Sequence, residues 1–193
     1  MNKQRFKKQI MEGFTLVELL IVVIILAILA AIVVPQFANT TDDAKASSLD
    51  ATLAHMRSAI SFYKQQHTAY PGALVSSGGP TACTTASGVL GTGLADSKDA
   101  FLDQLSYYSN AAGQTCTARG DLNEFPYGPY IQKREIPLNA ITNSKVLAIS
   151  TGGVLGMVST ENPGLGWKYD NITGQFIADD VTKDANDIEY YKH

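Results

Sequence analysis

The chain has 193 residues, 45% of them hydrophobic and 17% charged, with a formal net charge of −3. Such a length leaves room for one globular domain beside a long helix. The mild acidity is a poor footprint for generic nucleic-acid binding, which wants a basic face. Two cysteines, Cys83 and Cys116, are too few for a four-ligand structural zinc site, and neither has a second Cys or a His at ligand spacing.

The first thirteen residues carry Lys3, Arg5, Lys7 and Lys8 against one acid, Glu12. Gly13-Phe14-Thr15-Leu16-Val17-Glu18 follows, then an apolar run from Leu19 to Val34, then Pro35. The run is long enough to enter a bilayer. A carboxylate at that depth costs roughly 2.5 kcal/mol or more and is by default a functional group. The basic leader fixes the cytoplasmic side. Because the leader nets +3, its removal takes the remainder to −6. An ordinary secretory signal places an A-x-A-like site after its apolar core; Phe37-Ala38-Asn39 is a poor match, and Glu18 at the start of the core fits such a signal badly.

One long helix is predicted from Phe14 to about His67, on the order of 80 Å at 1.5 Å per residue. Its first half is apolar all round, which implies lipid or a filament core. Pro35 removes a helical hydrogen bond, so a kink or unwound stretch is expected near it. In the second half Leu49, Leu53, Met56, Ile60 and Tyr63 recur at steps of four and three. That stripe should pack onto a sheet; it is too short to read as a coiled-coil seam. Tyr70-Pro71-Gly72 ends the helix.

Residues 72–95 read as an irregular connection. Asp96 or Ser97 caps a short helix reaching about Tyr108, with Phe101, Leu105 and Tyr108 inward. Residues 111–119 read as loop. Phe125 to Ile131 is too rich in Pro and Gly for a regular strand and is read as a crossing that packs its rings; Pro137 to Asn143 is a second crossing. Strands are predicted at Val146–Ser150 and Val154–Ser159 around Gly152-Gly153, as a hairpin. A second hairpin joins 166–170 to 175–178 through Asn171-Ile172-Thr173-Gly174. The sequon in that turn is better explained by turn chemistry than by glycosylation. The tail from Asp179 holds Asp180, Asp184, Asp187 and Glu189, hard oxygens of the kind calcium prefers. They lack EF-hand spacing, and the tail is read as solvated. No cofactor is implied.

A phosphate-cradling loop, a nucleophile elbow and a histidine cluster are all missing from the sequence. His55 and His67 are read as surface or packing residues. No active site is found, and the chain is not read as an enzyme.

The leader, the Gly13–Phe14 junction, Glu18 and the apolar run together resemble type IV prepilins and type II secretion pseudopilins. The resemblance is close from the leader to about Phe37 and fainter around Tyr70-Pro71, Gly128-Pro129-Tyr130, Ile136 to Asn139 and Gly166 to Gly174. It implies that a prepilin peptidase cuts after Gly13 and methylates the new amine of Phe14. It also implies that Glu18 neutralises the terminal amine of a neighbouring subunit. A pair within one chain is open too, since Phe14 and Glu18 lie one helical turn apart. The implied fold is α+β: a long N-terminal helix packed on an antiparallel sheet. The implied parts are a leader over 1–13, a transmembrane or filament-core helix over 14–35, an amphipathic half over 36–67 and a globular domain over 68–193. Partners would be further copies of the chain, other pilins, the peptidase, an inner-membrane assembly platform and the membrane. The location would be the bacterial inner membrane, then an extracytoplasmic filament. Export permits a Cys83–Cys116 disulfide, with two free thiols as the alternative. A single-span anchored binding domain that never polymerises, and an adhesin or DNA-uptake pilin, stay open as further readings.

Overall fold

The computed structural model describes residues 14–119, 124–160 and 165–193. The leader, with Gly13, lies outside the described residues. The chain divides into two units, one ending at Thr41 and one running from Asp42 to His193.

In the first unit, helix α1 (Leu16–Gln66, which continues into the second unit) begins after Thr15. It contains one segment long and apolar enough to cross a membrane, Leu16–Val34, with a mean hydropathy of 3.4 and no burial within the chain. Helical structure is continuous through Pro35, so the unwound stretch expected there is not present.

In the second unit the α1 stripe behaves as its spacing requires. Leu49, Leu53, Met56, Ile60 and Tyr63 are buried, in one core with Phe101, Leu105, Trp167, Tyr169 and Phe176. Burying side chains of this size contributes roughly 1.5–3 kcal/mol each. The rings interlock, with centroids 4.5 Å apart for Phe101–Tyr169 and 5.1 Å for Trp167–Phe176. Their polar ends fasten the irregular segments to the core. Trp167 Nε1 donates to the Pro137 carbonyl at 2.8 Å, and the Tyr169 hydroxyl donates to the Pro71 carbonyl at 2.9 Å.

The connection after α1 holds a short helix α2 (Ala82–Thr85), then α3 (Lys98–Ser106). Ser97 caps α3, its hydroxyl accepting from the Ala100 amide at 3.1 Å. The helix stops earlier than its sequence suggests. Tyr108 lies instead in β1 (Tyr108–Ser109), which pairs antiparallel with β2 (Thr115–Cys116) inside the segment read as loop. Asp103, on α3, is buried beside loop 76–93. Its carboxylate accepts from the Ser76 hydroxyl, the Thr92 and Gly93 amides and the Arg134 guanidinium. The buried Ser76 and Gly93 donors would be costly to leave unpaired, so α3 ties two irregular segments together.

The main sheet has the order β3 (Leu147–Ser150), β4 (Trp167–Asp170), β5 (Phe176–Ala178). The β4–β5 hairpin matches the sequence reading. Gly174 closes it at φ +76°, and a Cβ there would lie 2.3 Å from the Tyr70 ring. The β3–β4 pair is parallel, so the sheet is mixed rather than wholly antiparallel. The first expected hairpin does not form, and Val154–Ser159 is not a strand. Asp170 supplies the physical reason. Its Oδ2 accepts from the Ser150 hydroxyl and from the Gly153 amide, both at 3.0 Å. The turn after β3 is thus held to Asp170 of β4, and β3 takes β4 as its neighbour.

The end of α1 closes on His67, which is buried and stacked on Tyr63 with ring centroids 3.8 Å apart. Nδ1 lies 2.9 Å from the Tyr63 carbonyl, an obligate acceptor, and must donate; Nε2 then accepts from the Ser109 hydroxyl at 3.1 Å. The neutral ring satisfies both bonds. Burial pushes its pKa below the ordinary histidine value, against the opposing pull of the Tyr63 and Asn110 carbonyls. A depressed histidine makes the folded state bind fewer protons than the unfolded one. Its contribution is present above about pH 6.5 and is lost as pH falls below that value. Melting temperatures of the wild type should therefore drop between pH 7 and pH 5 relative to His67→Gln. Parallel curves for the two proteins would contradict this account.

Candidate functional site

Phe14, Thr15 and Glu18 form the entrance to α1. Thr15 is its N-cap, and its hydroxyl accepts from the Glu18 amide at 3.2 Å. Glu18 reaches back: its Oε2 accepts from the Thr15 amide at 3.0 Å and from the Thr15 hydroxyl at 2.7 Å. This is a capping box, in which a Thr and a Glu three residues on satisfy each other's backbone donors. The Thr-x-x-Glu spacing carries that signal, and Thr15 is the functional residue that motif reading passed over. The Glu18 carboxylate is thus oriented by its own chain through Thr15.

Around this carboxylate every large side chain is exposed, from Phe14 at 76% through Leu19 at 59% to Val34 at 64%. Glu18 is the one ionisable residue between Leu16 and Val34. Within a single chain the surface has no apolar partner, although an unbroken apolar face of this size is stable only against hydrocarbon or other apolar helices. A carboxylate offers about four lone-pair sites, and the Thr15 donors reach only Oε2. The site therefore keeps capacity to accept a cation that arrives in the same apolar surroundings.

Cys83 and Cys116 are both buried and joined by a disulfide, with their Cα atoms 5.7 Å apart and a sequence separation of 33. They sit with Phe125 in a second, small core, against Leu90, Tyr108 and Ala118. Among the described residues no group of three or more His, Cys, Asp or Glu side chains is placed to hold a metal ion. The acidic tail is not simply solvated. Asp179 is buried and accepts from the Ser159 hydroxyl and from the amide and hydroxyl of Thr160. Asn171 is also buried, and its amide donates to Asp96.

An apolar helix capped by a Thr-Glu box and followed by a small α+β unit is consistent with a pilin-like fold. Comparison with known proteins agrees. The chain matches the prokaryotic N-terminal methylation motif over residues 11–34. It is similar to a type IV narrow pilus major component of Thermus thermophilus, 47% identical over 60 residues, which are 31% of this chain and 52% of that protein. It is also similar to the type II secretion system core protein G of Pseudomonas aeruginosa, 43% identical over 60 residues, 31% of this chain and 42% of that protein. The type IV major fimbrial protein of Dichelobacter nodosus is 45% identical over 53 residues, 28% of this chain and 34% of that protein. The matches thus span about half or less of these relatives' own lengths. No solved structure matches the chain. The chain carries the methylation motif and has type IV pilins and type II secretion pseudopilins as its homologues.

Removing the disulfide should cost roughly 3–4 kcal/mol, because it closes a 33-residue loop in the unfolded chain. A Cys83→Ala/Cys116→Ala double variant should show that loss in urea titration of the detergent-solubilised protein. An unchanged midpoint would mean that the small core around Phe125 holds without the bond.

Proposed function

We propose that this protein is a structural subunit of a type IV pilus-like or type II secretion pseudopilus filament. It is made as a precursor in the inner membrane. A prepilin peptidase removes residues 1–13 by cutting after Gly13 and methylates the amine of Phe14. An assembly platform then moves the subunit from the membrane into an extracytoplasmic filament. In this reading residues 14–35 serve first as a membrane span and then as filament core, 36–67 carry the packed stripe, and 68–193 form the globular part.

The observation that carries the proposal is the apolar surface of Leu16–Val34, exposed all round, with Glu18 as its single charge. Lipid and a bundle of identical helices are interchangeable solvents for such a surface, so transfer between them costs little apolar free energy. The charged amine created at Phe14 and the Glu18 carboxylate are each costly in hydrocarbon, and pairing them across neighbouring subunits offsets that cost. Head-to-tail contacts of this kind do not close on themselves and so generate a fibre.

Glu18→Ala should leave cleavage intact and lower the yield of sheared filament at least about tenfold, the effect of losing roughly 1.4 kcal/mol per contact. Gly13→Leu should leave the precursor uncut. Both are read by immunoblot of sheared and membrane fractions from a strain lacking other pilins. Normal filaments from the Glu18→Ala strain would contradict the assigned role.

A further inference from the structure

From Asp42 to its end, helix α1 carries Asp42, Asp43, Lys45, Asp50, Arg57 and Lys64 as its charged residues. Asp42 and Lys45 pair with each other at 3.3 Å. The other four, Asp43, Asp50, Arg57 and Lys64, fall at every seventh position. A helix drifts only about 20° over seven residues, so these four share one face. That face is acidic in its first half and basic in its second.

The surroundings keep the two halves distinct. Asp43 and Asp50 border a recess of ≈ 400 Å³ that Asp42 and Asp184 also line. Arg57 and Lys64 border a groove of ≈ 250 Å³ with Tyr70 and Gly174, and no acid lines it among the described residues. The four charges do not pair along the helix. Ion pairs on a helix need a spacing of three or four, and seven residues put about 10.5 Å between neighbours. Arg57 donates instead to the main-chain oxygens of His193 and Phe176, at 2.8 and 3.0 Å, and Lys64 to the Thr68 carbonyl at 2.6 Å. The Asp50 side chain is 56% exposed, and one of its oxygens accepts from His193 Nδ1 at 2.8 Å.

A second copy of the chain supplies the complement. In parallel copies with no shift, each of the four residues meets its own like. A shift of seven residues sets Asp50 against Arg57, but also Asp43 against Asp50 and Arg57 against Lys64. A shift of fourteen, about 21 Å along the axis, sets Asp43 against Arg57 and Asp50 against Lys64 and leaves no like pair. An antiparallel pair would match charges too, but copies inserted in one membrane share one orientation. We propose that this face is a register-setting contact between parallel neighbouring copies, with the acidic half of one on the basic half of the next. The two halves are different surfaces, so each copy keeps one of each for a further neighbour and the contact does not close. Exposed ion pairs are individually weak; the face selects the stagger, and the apolar Leu16–Val34 surface drives association. The inference rests on the filament reading above.

The test is zero-length carbodiimide cross-linking of wild-type filaments from a strain lacking other pilins, read by peptide mass. Glu135 and Lys145, 3.0 Å apart within one chain, are the internal control. An Asp50–Lys64 link should appear in species larger than the monomer, since those residues lie about 21 Å apart within one helix. Lys64→Glu should lower filament yield about two- to fivefold, the range expected for an exposed pair, and adding Asp50→Lys should restore it. Filaments that give the control link without the Asp50–Lys64 link, or full yield from Lys64→Glu, would overturn the register while leaving the filament reading in place. A wild-type strain that makes no filament would overturn both. The wild-type cross-link decides the matter even if a substitution impairs folding.

Discussion

One constraint organises this molecule: a helical surface of nineteen residues, apolar all round, that holds a single carboxylate. Water is a poor solvent for the surface and hydrocarbon is a poor solvent for the charge. The surface needs apolar surroundings and the charge needs a cation. Hydrocarbon or like helices answer the first, and a cation delivered within the same environment answers the second. The Thr15–Glu18 capping box matters here because it holds the carboxylate in place at the helix entrance before any partner arrives.

The unit from Asp42 to His193 solves a different problem. It has little regular secondary structure beyond α1, and its strands are two to four residues long. Its order comes from side chains that reach into irregular backbone. Trp167 and Tyr169 hold the Pro137 and Pro71 carbonyls, Asp103 gathers loop 76–93 and Arg134, and Asp170 holds the turn after β3. The Cys83–Cys116 bond fastens the region where apolar burial is thinnest. In small cores of this kind, covalent closure does work that packing cannot.

Local signals were legible in the sequence, and non-local competition was not. The stripe from Leu49 to Tyr63 could be read because helical periodicity is a property of one segment, and all five residues are buried. The 166–178 hairpin could be read because its turn chemistry is local. The Gly152-Gly153 pair looked equally good as a turn, yet Asp170, seventeen residues away from Gly153, captured its amide. Nothing in the segment itself announces that competitor. Tyr108 carries helical spacing from Phe101 and Leu105, but β1 pairing with Cys116 claims it. Asp179 looked solvated because acids usually are, and Ser159 with Thr160 buries it. At the candidate site Glu18 stood out by its charge in an apolar run and by its place after the Gly13–Phe14 junction. The role of Thr15 lay in a four-residue pattern that the longer motif overshadowed.

We propose that the exposed apolar helix belongs to a processed, polymerised chain. The most direct measurement is intact and N-terminal peptide mass on material sheared from cell surfaces, set beside the membrane fraction. The expected result is a processed species that begins at N-methylated Phe14, with residues 1–13 gone; its recovery in the sheared fraction marks a surface pilus, and its confinement to the membrane fraction marks a short pseudopilus or a minor subunit. A chain that still carries Met1 to Gly13 in both fractions would contradict the account and make the helix a simple membrane anchor.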